Sequence, residues 1–172
     1  MKKTRVTQIL AVHEAAHCYL ICLFRNGPEW VKLYNHRNPE ILGKVYSPAE
    51  AITRNDRKAA IQEILISLAG AAAELLLVGY AEGFESDAAN ALATLKCIKS
   101  GAKYRHLRLY VEELLPFLGK PRTWGRIMAL ADRLLQKNKL MGEEIQEILR
   151  TNRRLEHPPF SASRILRSWN SR

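Results

Sequence analysis

The sequence predicts a mainly α-helical domain with a small β-hairpin or piece of sheet near its N-terminus. Apolar residues recur at helical spacing along most of the 172 residues, whereas one early stretch alternates apolar and polar residues as short strands do. With 47% hydrophobic and 26% charged residues, the chain can bury one ordinary hydrophobic core. The same proportions, with only 9 Gly and 7 Pro, exclude a disordered, collagen-like or low-complexity chain.

The N-terminal part predicts a helix followed by the hairpin. Helical spacing of apolar residues extends over about residues 4–25, and Gly27-Pro28 ends it. Residues 30–34 and 41–46 then alternate and are rich in aromatic and β-branched side chains, with an Asn- and Pro-containing stretch between them. We therefore expect two short antiparallel strands directly after the first helix.

From about residue 53 onward the chain returns to helix and rarely leaves it. The predicted helices cover about residues 53–78, 86–99, 104–118 and 122–137, with a short one beginning at residue 142. The last residues are rich in arginine and contain Pro158-Pro159, which predicts a basic tail with at most one weak helix. We divide the chain into a domain over residues 1–152 and a basic C-terminal tail over residues 153–172.

The net charge indicates which classes of partner suit the protein, and the cysteines indicate its redox compartment. A formal charge of +10, from 27 Lys+Arg against 17 Asp+Glu, suits a nucleic acid, an anionic membrane surface or an acidic partner, and selects none of them. Three cysteines are an odd number, and no signal peptide precedes them, so we expect a reducing, cytoplasmic location. The most apolar stretch, residues 64–81, carries Glu74, whose insertion in a bilayer costs roughly 2.5–3.5 kcal/mol. A buried core helix is expected there, and no transmembrane segment.

The residues that indicate chemistry are His13-Glu14-Ala15-Ala16-His17, an H-E-x-x-H motif inside the first predicted helix. Side chains four residues apart share one helix face, so both imidazoles can bind one metal ion with Glu14 beside them. Zinc hydrolases need two such histidines, a third protein ligand, and an open position for the water that a glutamate deprotonates. The alternative is a chance string with two ordinary hydrogen-bonded histidines, but the independent prediction of a helix here favours the metal site.

The third metal ligand must come from another part of the chain. Cys18 and Cys22 lie on the apolar run of the first helix, and we interpret them as core residues. An acid at the start of a helix is well placed, and Asp87 is one of several such acids. The candidates are His36, His106, His157, a cysteine and a helix-start acid such as Asp87.

Several segments, in the same order, resemble the peptidase domain of the FtsH-type ATP-dependent zinc metalloproteases. The resemblance covers most of the chain and includes the H-E-x-x-H motif. The other segments are Leu42-Gly43-Lys44-Val45, residues 68–79, Glu85-Ser86-Asp87, residues 129–135 and residues 140–145. This likeness implies a helical, zincin-like metallopeptidase domain that holds one Zn²⁺ per chain.

The resemblance also implies roles for individual residues. It makes His13, His17 and Asp87 the zinc ligands and Glu14 the general base. Glu74 falls where the family has an acid in its alanine-rich helix, and it is either a carboxylate that orients a ligand histidine or a buried acid paired with an arginine. The family's arrangement also suggests a homo-oligomeric ring of six.

Four positions depart from the usual family pattern, and none of them is a ligand. They are Ala16, Ala69, Ala71 and Ser86. The chain also contains no G-x-x-x-x-G-K-[ST] phosphate loop, so the ATPase module of the family is missing from this sequence. We therefore expect an endopeptidase that cleaves unfolded or loosely folded proteins, alone or with a separate ATPase. An extended substrate is expected at the edge of the short sheet.

Two other functions fit parts of the sequence. The first is a catalytically idle, metal-binding module that only binds other proteins. The second is nucleic-acid binding by a basic stripe, although no known recognition motif accompanies it. The stripe comprises Lys96, Lys99, Lys103, Arg105, Arg108 and the arginines of the tail. If the protein is a peptidase, Tyr34, Tyr46 and His36 are candidate donors to the developing oxyanion.

Overall fold

Seven α-helices and a three-stranded antiparallel sheet form the described part of the chain, which in this computed structural model is residues 5–34, 43–48, 56–82 and 84–170. The helices are α1 (Arg5–Phe24), α2 (Arg57–Val78), α3 (Glu85–Ile98), α4 (Leu107–Leu118), α5 (Pro121–Lys137), α6 (Gly142–Thr151) and α7 (Ala162–Asn170). The strands are β1 (Trp30–Leu33), β2 (Gly43–Tyr46) and β3 (Lys139–Met141). The mainly helical class with a small sheet is confirmed.

Helices α1 and α2 form the centre of the core. α1 packs against both α2 and α5, and every residue from Ala11 to Ile21 is buried. α2 is buried almost continuously from Ile66 to Glu74, where glycine and alanine predominate. Small side chains let the backbones of neighbouring helices approach closely. The residues of the H-E-x-x-H motif thereby face other helices rather than solvent.

By length and hydropathy alone, α1 and α2 are each able to cross a membrane. Core helices of globular proteins pass the same test, and in each of these helices 61% of the apolar window is buried inside the structure. Among the described residues these two helices make the most extensive contacts with each other, as core helices do.

The ends of these helices follow local capping rules. Gly27, with φ +94°, turns the chain after α1 at the predicted position. The Asp56 carboxylate accepts a 2.8 Å hydrogen bond from the Ala59 N–H and caps the start of α2, whereas the predicted start near residue 53 lies outside the described residues. Gly79, with φ +85°, ends α2 as predicted.

The sheet has the strand order β2-β1-β3, with both pairings antiparallel. The predicted hairpin of β1 and β2 is confirmed, and the segment that joins them lies outside the described residues. The pattern did not predict β3, because three residues between two helices are too short to show a period of two. Val31 and Leu140 face the core, so the opposite face of the sheet points outward.

The C-terminal segment lies along the helical bundle. The N–H of Glu156 donates to the carbonyl of Pro121, and the N–H of Phe160 donates to the carbonyl of Leu76. Ile165 of α7 is buried, and α7 contacts both α2 and α4. The weak helix expected within residues 153–172 is therefore α7, and this segment packs on the domain over residues 1–152.

Candidate metal centre

His13 and His17 occupy adjacent turns of α1 on the side that faces α2. Both are buried, and their rings lie 4.7 Å apart between centroids. Their Nε2 atoms are 3.0 Å apart and point at each other. The four-residue spacing thus brings the two imidazoles to one point, as the sequence predicts.

The other nitrogen of each ring fixes its tautomer. Nδ1 of His17 lies 2.7 Å from the carbonyl oxygen of Ile66, and Nδ1 of His13 lies 2.7 Å from a carboxylate oxygen of Glu74. Because both partners only accept hydrogen bonds, both Nδ1 atoms must donate. In the neutral rings the two facing Nε2 atoms therefore carry lone pairs, so a proton or a metal ion is needed between them.

Asp87 supplies a third electron pair at the same point. Its Oδ2 lies 3.0 Å from Nε2 of His13 and 3.4 Å from Nε2 of His17. Bonds of 2.0–2.1 Å to a tetrahedral zinc ion place the ligand atoms about 3.3 Å apart, so the observed distances of 3.0–3.4 Å fit that ion. Among the described residues, His13, His17 and Asp87 form the group of histidine and acidic side chains that fits a metal ion.

The position of Asp87 depends on how α3 begins. The helix starts at Glu85, and Asp87 lies in its first turn, where a carboxylate is stabilised by the helix N-terminus. Burial alone raises the pKa of Asp87, but its bonds to His13 and His17 hold that pKa well below the usual range. Asp87 is therefore ionised, as a metal ligand must be.

Glu74 connects the metal centre to the segment that precedes α3. One of its oxygens accepts the hydrogen bond from His13, and the other accepts a 2.8 Å bond from the N–H of Glu82. Glu74 is 4% exposed. Of the two roles considered from the sequence, its contacts agree with the one that orients a histidine, and its partners are His13 and a backbone amide rather than an arginine.

The protonation of His13 reflects these carboxylates. Burial alone lowers its pKa, but hydrogen bonds to Asp87 and Glu74 and the charge of Glu14 together raise the pKa of His13 to about 10. Without a metal ion, a proton on Nε2 of His13 thus balances the converging electron pairs.

Glu14 lies beside the two histidines and against the sheet. It is buried, and burial raises its pKa above the ordinary value although the nearby His17 and His13 oppose that rise. A Cβ atom at Gly43 in β2 would overlap the Glu14 carboxylate, so the backbone of β2 lies directly against it. A carboxylate with a raised pKa is better matched to taking up a proton near neutral pH.

Gly70 provides the space that the His13 ring needs. A Cβ atom at this position of α2 would overlap three atoms of that ring. A glycine inside a helix lowers the stability of that helix, so its presence in a sequence indicates a place where another group packs close to the backbone. The carbonyl of Ile66 and the N–H of Glu82 are further contributions that sequence reasoning missed, because backbone groups leave no signal in the sequence.

The other candidate ligands lie elsewhere or outside the described residues. His106 is half-buried on the short turn before α4, and its Nδ1 accepts a hydrogen bond from the N–H of Lys103. His157 is exposed in the C-terminal segment, and Cys18 is buried in the core as expected. His36, proposed both as a ligand and as an oxyanion donor, falls outside the described residues.

The two tyrosines considered as oxyanion donors have other contacts in the structure. The Tyr46 ring stacks on Trp30 at 5.4 Å and is 41% exposed. Lys32 places its ammonium group 4.8 Å from the centroid of the Tyr34 ring. Within the described residues, these ring contacts connect the two tyrosines to the sheet and not to the metal ligands, so neither is assigned as the oxyanion donor.

Neither a protein-family model nor a curated protein matches this chain. The likeness to the FtsH-type peptidase domain therefore stays a prediction that depends on the quoted motifs. The geometry of the site is an independent observation, because it follows from distances and hydrogen bonds within this chain alone.

Proposed function

We propose that the protein is a zinc-dependent endopeptidase that hydrolyses unfolded or loosely folded protein substrates. The observation that carries the proposal is the convergence of two lone-pair nitrogens and one ionised carboxylate oxygen, 3.0–3.4 Å apart, beside a buried glutamate. Three protein ligands with one open position are typical of catalytic zinc sites, whereas structural zinc sites have four protein ligands.

In this proposal each ligand and the base has one role. His13, His17 and Asp87 hold the ion, which, when bound, acts as a Lewis acid toward water and the scissile carbonyl. Glu14 accepts a proton from the attacking water and transfers it to the leaving amine. Glu14 is thus unprotonated before the attack, carries the proton between the two steps and is unprotonated again after the amine leaves.

The hydrogen bonds behind the ligands support this chemistry. Glu74 and the carbonyl of Ile66 hold the two imidazoles in the tautomers that point Nε2 toward the ion. The Glu74 carboxylate also makes His13 a more basic ligand. Because both partners belong to α2, its packing against α1 keeps the two ligand rings in place.

An extended peptide is the substrate form that the sheet can hold. In the described part of the chain β2 pairs only with β1, and in this proposal the extended peptide pairs with the other edge of β2. Gly43 brings this strand against Glu14. A peptide paired with that edge passes close to the general base, and an unfolded segment has the free backbone groups along its length that such pairing needs.

The decisive experiment is hydrolysis of a reduced, alkylated and therefore unfolded model protein by the zinc-loaded chain without ATP. Glu14→Gln should abolish cleavage and still bind zinc, because it removes the base and leaves all three ligands. Glu113→Gln is the matched control, since Glu113 is exposed on α4, and it should cleave like the wild type.

The possible outcomes separate the candidate functions. Cleavage by the wild type and by Glu113→Gln, but not by Glu14→Gln, supports the proposal. Zinc binding without cleavage by any variant would instead assign the chain to the metal-binding, protein-interaction class, or to the proteases that need a separate ATPase. Repeating the assay on a short peptide, which needs no ATP-driven movement of a long chain into the site, distinguishes these last two.

A further inference from the structure

The outward face of the sheet carries two rows of side chains that cross all three strands. In one row Tyr46 and Met141 lie on either side of Trp30. In the next row, Lys44 and Lys139 lie on either side of Lys32. We call Lys44, Lys32 and Lys139 the lysine row. Since adjacent strands are about 4.8 Å apart, the row places three positive charges across about 10 Å.

The lysine row is electrostatically unfavourable in the protein alone. Like charges directly opposite each other on neighbouring strands destabilise a sheet. Across residues 5–34, 43–48, 56–82 and 84–170, no carboxylate forms an ion pair with any of the three lysines. Glu144, which follows β3 closely, pairs with Lys137 instead. An anionic partner placed on the row would relieve this repulsion.

The row begins next to the candidate metal centre. Lys44 directly follows Gly43, whose backbone contacts the Glu14 carboxylate. Lys44 and Lys139 are both exposed. A chain bound along the outer edge of β2 therefore passes Lys44 within a residue or two of the point where it passes Glu14.

We propose that the lysine row binds acidic side chains of the polypeptide substrate, so that the preferred substrates are segments rich in Asp and Glu near the scissile bond. This inference rests on the proposed endopeptidase function and names its substrate class. Side chains of an extended substrate alternate between the two faces of the sheet, and those on the outward face lie next to Lys44 while the backbone pairs with β2. Lys32 and Lys139, on the strands beyond β2, add positive charge further along the same face.

Single-stranded nucleic acid fits this surface less well. Bases bind sheet surfaces by stacking on free aromatic faces. Here the Trp30 ring has Tyr46 stacked against it at an interplanar angle of 16°, and the Lys139 ammonium lies 5.6 Å from its centroid. With these two neighbours against it, Trp30 is not a stacking platform for a base. Lys32 and Lys139 lie near the Tyr34 and Trp30 rings and form no ion pair with a carboxylate of the described residues, and Lys44 is exposed.

Binding is the direct test, with the zinc-loaded Glu14→Gln chain as a non-cleaving background. Two synthetic peptides of identical length are compared, one containing Asp and Glu and the other Asn and Gln at the same positions. We expect the acidic peptide to bind about tenfold more tightly than the neutral one at low salt, because two or three exposed ion pairs together contribute about that much affinity. High salt screens these ion pairs, so the difference in affinity should shrink there.

The variant Lys44→Gln/Lys32→Gln/Lys139→Gln should bring the two affinities together. The matched control Lys96→Gln/Lys99→Gln/Lys103→Gln removes the same charge from α3 and the segment after it, and it should keep the preference. Circular dichroism shows whether each variant is folded, and Lys44→Gln alone, with a smaller loss of preference, replaces the triple variant if that does not fold.

Three results would overturn the inference: equal affinities in the background chain, a preference that survives removal of the lysine row, or an equal loss in the control variant. Displacement of the acidic peptide by a lower concentration of single-stranded oligonucleotide would assign the row to nucleic acid instead. Failure of the endopeptidase proposal is a separate result, because the wild type would then cleave neither peptide, whatever the binding preference.

Discussion

Nδ1 of His13 and a carboxylate oxygen of Glu74, 61 residues apart in the sequence, are joined by a 2.7 Å hydrogen bond in the core. The bond fixes which nitrogen of His13 faces the candidate metal centre. The second oxygen of Glu74 accepts from the N–H of Glu82, five residues before Asp87. One buried carboxylate thus bonds both a ligand histidine of α1 and a backbone amide that precedes α3.

Glu74→Gln is expected to weaken zinc binding by about 10–100-fold, the usual effect of removing a partner behind a ligand histidine. The amide keeps the size of the side chain but loses the charge that makes His13 basic. Competition against a zinc-binding dye measures the affinity. Glu113→Gln serves as the control and should not change it, and equal affinities for Glu74→Gln and the wild type would contradict the assigned role of Glu74.

Gly70→Ala is expected to remove the stabilisation that zinc gives to the fold. The new methyl group overlaps the His13 ring, so the ring must move away from His17 and Asp87. The measurement is the melting temperature with and without zinc, whose difference reports binding to the folded state. Ala71→Gly is the control on the same helix: it should lower stability by about 1 kcal/mol but keep the zinc-dependent increase.

Thiol alkylation is expected to follow burial and pH. Burial raises the pKa of Cys22 to about 11 and that of Cys18 well above the ordinary value, whereas Cys97 is exposed. Because only the thiolate reacts, Cys97 should be labelled first near pH 8, and labelling of Cys22 should accelerate about tenfold per pH unit below its pKa. Mass spectrometry of the labelled peptides measures both rates, and early labelling of Cys18 in the folded chain would contradict the packing of α1.

The Cys22 thiol also affects the free energy of unfolding in alkaline solution. The pKa of Cys22 in the folded chain lies above its ordinary value of 9.0, so the neutral thiol contributes stability that is present below about pH 9. That contribution is lost as the pH rises from 9 toward 11. Cys22→Ala should flatten this part of the stability profile, as measured by urea unfolding at each pH.

Lys32→Gln is expected to stabilise the protein at low salt, by about 0.5 kcal/mol, because it removes the central charge of the lysine row. Lys96→Gln should act in the opposite direction, since Lys96 lies in the last turn of α3, where a positive charge is favourable. Melting temperatures in low and high salt test both signs. A destabilised Lys32→Gln protein whose melting temperature does not depend on salt would show that the lysines do not repel one another.

The sequence predicts the parts of this structure that depend on local patterns. Helical spacing predicts α1, and the motif then places His13, Glu14 and His17 on it without further information. Asp87 could be selected among several acids only through the family resemblance, since no local pattern relates α3 to α1. Strand β3 was missed because its three residues are too few to show the alternation of a strand, and its partner β1 is distant in the sequence. The Ile66 carbonyl and the Glu82 amide were missed because every residue has such groups.

Two glycines border the candidate metal centre where a methyl group would not fit. Gly43 lies against Glu14 and Gly70 lies against His13, on two different elements that both face α1. An H-E-x-x-H string arises by chance from average residue usage in only a small share of chains, and its combination with glycine at both of these positions is rarer still. The two glycines therefore provide a criterion for searching genomes: chains that keep the motif together with both glycines should form this centre, and chains with a larger residue at either position should not.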